Sequence, residues 1–165
     1  MKSIYFNRHA KSSWSNPELA DFDRPLNNRG KNDLQFMGKI LSEKVKPPQV
    51  IYSSPANRAI TTAQAIGKYF GYDKKNIISD MIIYDAVVSD LMKIINNTSD
   101  EYDTIMFFGH NPTFTMISKY LSDTKILNIP TCGFAQIDFD VKSWNYIEGN
   151  TGKLILFEYP KKYQK

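Results

Sequence analysis

Apolar residues in this chain fall into two kinds of run, short continuous ones and longer ones spaced by three and four. Ser3-Ile4-Tyr5-Phe6-Asn7, Gln49-Val50-Ile51-Tyr52-Ser53 and Thr104-Ile105-Met106-Phe107-Phe108 are the short kind. Such runs predict strands, and the near-continuous third belongs at the centre of a parallel sheet. Between the first two, Leu34, Met37, Ile40, Leu41 and Val45 recur at helical spacing and stop at Pro47-Pro48. An Ala-rich helix is predicted after the second strand, with Pro55 near its first position, Arg58 in its first turn, and an end at about Phe70 before Gly71. A short strand over Asn76 to Ile78 and a connection over Ser79 to Ala86 come next. Ser89-Asp90 then opens a helix through Leu91, Met92, Ile94 and Ile95 to Asn96-Asn97, and another runs from Pro112 to Leu121.

Strand–helix–strand units pair their strands in parallel. Cys132 to Phe139 alternates in part, and Leu154 to Tyr159 follows a Gly149-Asn150-Thr151-Gly152 turn. A connection that short predicts antiparallel pairing, so the expected sheet is mixed. The segment from Ser13 to Asn27, with Trp14, Pro17, Asp21, Asp23, Arg24 and Pro25, reads as a long loop. No repeat or linker divides the chain, and one domain over residues 1–165 is expected.

Composition narrows the class. At 165 residues and 42% apolar content the chain can bury a substantial core. A single cysteine, Cys132, excludes an internal disulfide framework and a Cys-x-x-Cys metal cluster. No apolar run has the length of a membrane span, and the first residues lack a signal-peptide layout, so the expectation is a cytoplasmic protein without membrane contact. The net charge of +4 suits an anionic ligand. The basic residues are scattered apart from Lys161, Lys162 and Lys165, which gives no reason to expect nucleic acid.

The chemistry gathers at strand ends, where open α/β sheets bind ligands. Arg8-His9 closes the first predicted strand and Gly109-His110 the third, and these are the chain's two histidines. Adjacent residues of an extended strand point apart, so Arg8 and His9 converge on one ligand only if the chain bends, which small Ala10 permits. An imidazole can attack phosphorus and carry a phosphoryl group, while a guanidinium offers a planar fork of donors to phosphate oxygens. Arg58 places positive charge in a first helical turn, against the helix dipole, a choice that an anionic partner explains. His9, His110, Arg8 and Arg58 are therefore expected in one pocket. Asp85 reads first as a loop carboxylate, and a proton donor is its other possible role.

Arg8-His9-Ala10, Ser53-Ser54-Pro55 with Arg58-Ala59 and Thr62-Ala63, and Gly109-His110 together resemble the histidine phosphatase superfamily, of phosphoglycerate mutase-like fold. The Arg-His-Ala-Lys-Ser opening, Asp23-Arg24-Pro25-Leu26-Asn27 with Arg29-Gly30, and Gly109-His110-Asn111-Pro112 most resemble its SixA-type phosphohistidine phosphatases. The resemblance implies an α/β three-layer sandwich, a mostly parallel sheet with one antiparallel strand, flanked by helices. It implies His9 as nucleophile, Arg8, Arg58 and His110 on the phosphoryl oxygens, a Ser12 hydroxyl contact to phosphate, and neither metal nor cofactor. Ala10 stands where glycine is commoner, and Ser15 stands where many members carry a phosphate-binding asparagine, with Asn16 one position late. Larger members draw a general acid from an insertion, for which Asp85 is the candidate here. The implied partner is a phosphohistidine-bearing protein, with inorganic phosphate as product. A phosphorylated small molecule, handled by a phosphomonoesterase or phosphosugar mutase, is the alternative, and a non-catalytic phosphate-binding module is the alternative of another class.

Overall fold

The computed structural model describes residues 1–164. Its elements, in chain order, are β1 (Lys2–Arg8), α1 (Asn28–Lys44), β2 (Val50–Ser53), α2 (Asn57–Tyr69), β3 (Ile78–Ser79), α3 (Val88–Asn96), β4 (Thr104–Gly109), α4 (Thr113–Leu121), β5 (Phe134–Phe139) and β6 (Lys153–Glu158), with short 3₁₀ turns between some of them. The strands form one sheet in the order β3-β2-β4-β1-β5-β6. β1 to β4 pair in parallel, and β5 runs antiparallel to both its neighbours.

Alternation along the central strands builds two cores. Ile4 and Phe6 of β1, with Ile105 and Phe107 of β4, pack against Leu91 and Ile95 of α3 and Phe114, Ile117 and Leu121 of α4. Tyr5, Met106 and Phe108 face the other way, onto Leu34, Met37 and Leu41 of α1 and Ala63 and Ile66 of α2. Because both faces are covered, the inner strands have no polar face, which is why their sequence reads as continuous apolar runs. The result is the expected three-layer sandwich with a mixed, mostly parallel sheet.

Local differences from the sequence reading have local causes. α2 begins at Asn57, two residues after Pro55, because the Ala56 N–H is held by Ser54 Oγ at 3.2 Å in a turn that precedes the helix. β3 covers Ile78–Ser79, one to two residues later than predicted, and β5 starts at Phe134 because Cys132, at φ 59°, turns the chain before it. The Ser13 to Asn27 segment is irregular but held at both ends: Ser13 N–H donates to Pro25 O at 2.8 Å and Asn27 N–H to Lys11 O at 3.0 Å. Within it, Asp21–Asp23 form one 3₁₀ turn.

Candidate active site

Parallel pairing of β1 with β4 sets Arg8 opposite Gly109, so the residues that follow, His9 and His110, leave the sheet side by side. His9 N–H donates to Gly109 O at 3.0 Å, and the two imidazoles lie 5.3 Å apart, centroid to centroid. Gly109 is required there, since a Cβ would stand 2.6 Å from the Phe114 ring. The expected bend after Arg8 is anchored: Ala10 N–H donates to Thr62 Oγ1 at 3.0 Å, and that hydroxyl donates to Arg58 O at 2.7 Å. One threonine thus ties the turn after β1 to the first turn of α2, which carries Arg58.

His9, Arg58 and Ser12 are buried, and Arg8 and His110 are partly so. The His9 Nδ1 contact to Ala10 O, at 2.7 Å, requires the proton on Nδ1, because a carbonyl only accepts. Its Nε2 then carries a lone pair. Burial, followed by the charges of His110, Arg58 and Arg8, lowers the His9 pKa to about 3. Burial and the Arg58 charge lower that of His110 to about 4. Both rings are neutral at pH 7.

Each cation here keeps an unused donor. Arg8 Nη1 donates to Ile129 O at 3.0 Å, and Arg58 Nη1 and Nη2 donate to Asp21 O at 2.7 Å and Asp21 Oδ2 at 2.9 Å. Arg8 Nε, Arg58 Nε and His110 Nδ1, however, are buried with no partner, and among the described residues only Asn7 Oδ1 and Asp33 Oδ2 share that state. Buried polar groups are almost always paired, so two orphaned guanidinium N–H groups with a free imidazole nitrogen beside them suit an oxygen-rich anion.

The carboxylate that reaches this cluster is Asp21 rather than Asp85. Asp85 is exposed, and the side chain of Tyr84 beside it takes the inward position: its hydroxyl donates to Asp21 Oδ2 at 2.7 Å and its ring meets His110 edge to face at 5.5 Å. Arg24 grips the other oxygen, Oδ1, through Nε and Nη2 at 3.2 and 3.1 Å. The Tyr84 hydroxyl, then Arg58 and Arg24, hold Asp21 well below the usual carboxylate range. Ser12 is in the cluster, but its hydroxyl accepts from Arg24 Nη1 at 2.7 Å, and Trp14 stacks on that guanidinium at 3.5 Å. Ser15 bonds only within the loop, to Ser13, and Asn16 Oδ1 accepts from Glu18 N–H.

Asp21, Arg24, Tyr84 and Ser54 are the site residues that sequence reasoning left without a role. Arg24 and Ser54 lie inside motifs quoted above, the only signal that pointed to them. Asp21 and Tyr84 carry no local signal, because each meets the cluster through partners 37 and 63 positions away.

A profile of the histidine phosphatase superfamily (branch 1) matches residues 4–81, which span β1, α2 and the Asp21 turn. An uncharacterized chloroplastic protein of Arabidopsis thaliana is 32% identical over 145 residues, 83% of this chain and 66% of its own length. The structure aligns with a protein assigned as the phosphohistidine phosphatase SixA of Agrobacterium tumefaciens at a TM-score of 0.81 and 27% identity, over 96% of this chain and 98% of that one. Over residues 4–81 the chain carries the pattern of the histidine phosphatase superfamily. A mycobacterial glucosyl-3-phosphoglycerate phosphatase shares the fold at a TM-score of 0.68 and 15% identity, over 94% of this chain and 98% of that chain. Proteins of this fold thus include phosphatases named for quite different phosphorylated substrates. Among the described residues no helix is long and apolar enough to cross a membrane.

Proposed function

We propose that this protein is a histidine phosphatase that removes the phosphoryl group from phosphohistidine on a partner protein, through a covalent intermediate on His9. The observation that carries the reading is the state of the site's carboxylate. Asp21 is pinned between Tyr84, Arg58 and Arg24 and stays ionised, and Asp85 is exposed and outside the cluster. A phosphomonoester leaves as an alkoxide and needs a proton donor. A phosphohistidine whose second ring nitrogen is protonated leaves as neutral imidazole and needs none. A site without a carboxylic acid therefore suits the phosphorus–nitrogen bond. Trp14, 72% exposed on the outer side of Arg24, adds an apolar surface beside the cluster that a protein substrate can cover.

The step follows from the two tautomers and the unused donors. His9 Nε2 attacks phosphorus as the substrate's phosphorus–nitrogen bond breaks, and the electron pair of that bond returns to the leaving imidazole. Arg8 Nε, Arg58 Nε and His110 Nδ1 receive the phosphoryl oxygens, whose charge shifts during transfer. Water then attacks phospho-His9, releasing inorganic phosphate and the neutral ring.

The test is the initial rate of phosphate release from a phosphohistidine-bearing protein and from a simple phosphomonoester at equal concentration. The expected result is faster release from phosphohistidine, a fall of about 1,000-fold or more in His9→Ala, and no more than about a twofold change in Asp85→Asn. Preference for the monoester, with Asp85→Asn impaired, would replace this reading with a small-molecule phosphatase. Tight phosphate binding without turnover would leave a binding module.

A further inference from the structure

His110 can serve an incoming phosphoryl group in the way proposed only if its unpartnered nitrogen, Nδ1, carries the proton. A neutral imidazole has one proton, so something must hold it there. The other nitrogen, Nε2, lies 2.8 Å from Ser54 Oγ, and the two atoms can bond in either sense.

Counting the bonds of Ser54 decides the sense. Its side chain is fully buried in the turn between β2 and α2. Its oxygen already accepts from Ala56 N–H at 3.2 Å, and its only other contact is His110 Nε2. If His110 donated, the serine oxygen would accept twice and its own hydrogen would be buried without an acceptor, at a cost of roughly 1–3 kcal/mol. If Ser54 donates, its own hydrogen is used, Nε2 is the bare nitrogen, and the one unpaired proton sits on Nδ1, where a bound anion can accept it. We propose that Ser54 is a positioning residue that fixes His110 as the Nδ1–H tautomer, turning a neutral histidine into a hydrogen-bond donor for the substrate's phosphoryl group.

The consequence is a pair of histidines with the same tautomer and opposite tasks. His9 spends its Nδ1 proton on Ala10 O, which leaves Nε2 free to attack. His110 spends its Nε2 lone pair on Ser54, which leaves the Nδ1 proton free to donate. Arg8 and Arg58 beside both rings favour the neutral form, so the tautomer, rather than full protonation, decides what His110 can offer. Ser54 is also rigidly placed: its N–H donates to Phe108 O at 2.9 Å, joining β2's end to the strand that delivers His110.

The inference rests on the reading that His110 faces the phosphoryl group, and its test has one arm that does not. Long-range ¹H–¹⁵N spectra of the whole protein at pH 7 should show the proton of His110 on Nδ1, and in Ser54→Ala the Nε2–H form should appear. An Nε2–H tautomer in the wild-type protein overturns the proposal whatever the enzyme hydrolyses. In the second arm, Ser54→Ala should slow phosphate release from phosphohistidine roughly 10- to 100-fold. It should change the rate by no more than about twofold when His110 is already Gln, because the serine acts through that ring. Equal losses in both backgrounds would mean that Ser54 only supports the fold, and would also overturn it. Absence of turnover with the Nδ1–H tautomer intact would instead count against the phosphatase reading.

Discussion

The two ends of β1 each hold a cation, Lys2 buried and Arg8 partly buried, and they treat it in opposite ways. At the start of the strand Lys2 is 2% exposed, and its three ammonium hydrogens meet Asp100 O at 2.8 Å, Tyr102 O at 2.7 Å and Asp103 Oδ1 at 3.0 Å. The Trp144 ring closes the cage at 5.3 Å. Six residues later Arg8, together with Arg58 and His110, keeps a buried N–H with no partner. A satisfied cation holds a fold together, whereas an unsatisfied one costs stability in the free protein and returns it when an anion arrives. The same strand therefore carries a structural site at one end and the proposed binding site at the other, and the unused donors tell them apart more clearly than the residue types do.

The sharpest test of that contrast is Arg8→Met. Phosphohistidine hydrolysis should fall about 100-fold or more, the usual loss for one donor to transition-state charge. Thermal stability of the free protein should hold or rise, because a partly buried, incompletely paired charge is replaced by an apolar chain of similar length. A large drop in Tm would show that Arg8 is structural like Lys2. Lys2→Met should do the reverse: a loss of roughly 1–3 kcal/mol from the stranded carbonyl of Asp100, read by denaturant unfolding, with the rate per folded molecule unchanged. A loss of activity at full stability would erase the distinction between the ends.

The smallest effect is in acid. His9 and His110 titrate in the folded protein near 3 and 4, below the ordinary 6.5. Between 6.5 and those values the unfolded chain binds protons that the folded one refuses, so stability falls as pH falls through that window. The slope is at most about 1.4 kcal/mol per pH unit for each histidine. Unfolding curves between pH 6.5 and 5, above the range where carboxylates such as Asp21 lose their own contribution, should show this slope in the wild-type protein. His110→Gln should reduce it, and an unchanged slope would place His110 in contact with water.

Much of this molecule was legible from residue order. Ile4, Phe6, Ile105 and Phe107 against Tyr5, Met106 and Phe108 form continuous runs because both faces of their strands are covered, and that pattern located β1 and β4 and the histidines that end them. Arg58 betrayed itself by standing at the wrong end of a helix dipole. The loop from Ser13 to Asn27 was read correctly as irregular, but its content was not, since turn formers predict only that a chain leaves regular structure. Asp85 drew attention as a nearby acid, while the side chain that turns inward there is Tyr84, because the 3₁₀ turn at Met81–Ile83 sets which of the two faces the sheet edge.

Residue order thus determined the elements, the three-layer architecture and the four strand-end and helix-end residues gathered at the sheet edge, since hydrophobic period and helix-terminus chemistry act within a few residues of their source. Only the tertiary structure decided the rest: that Asp21 bridges Arg24 and Arg58, that Tyr84 seals it, that Ser54 meets His110, and that Lys2 is paired while Arg8 is not fully paired. Apart from the Asp21–Arg24 contact, those outcomes depend on hydrogen bonds between residues 37 to 121 positions apart. Their direction and completeness are set by where packing places each donor, a quantity that no local pattern encodes.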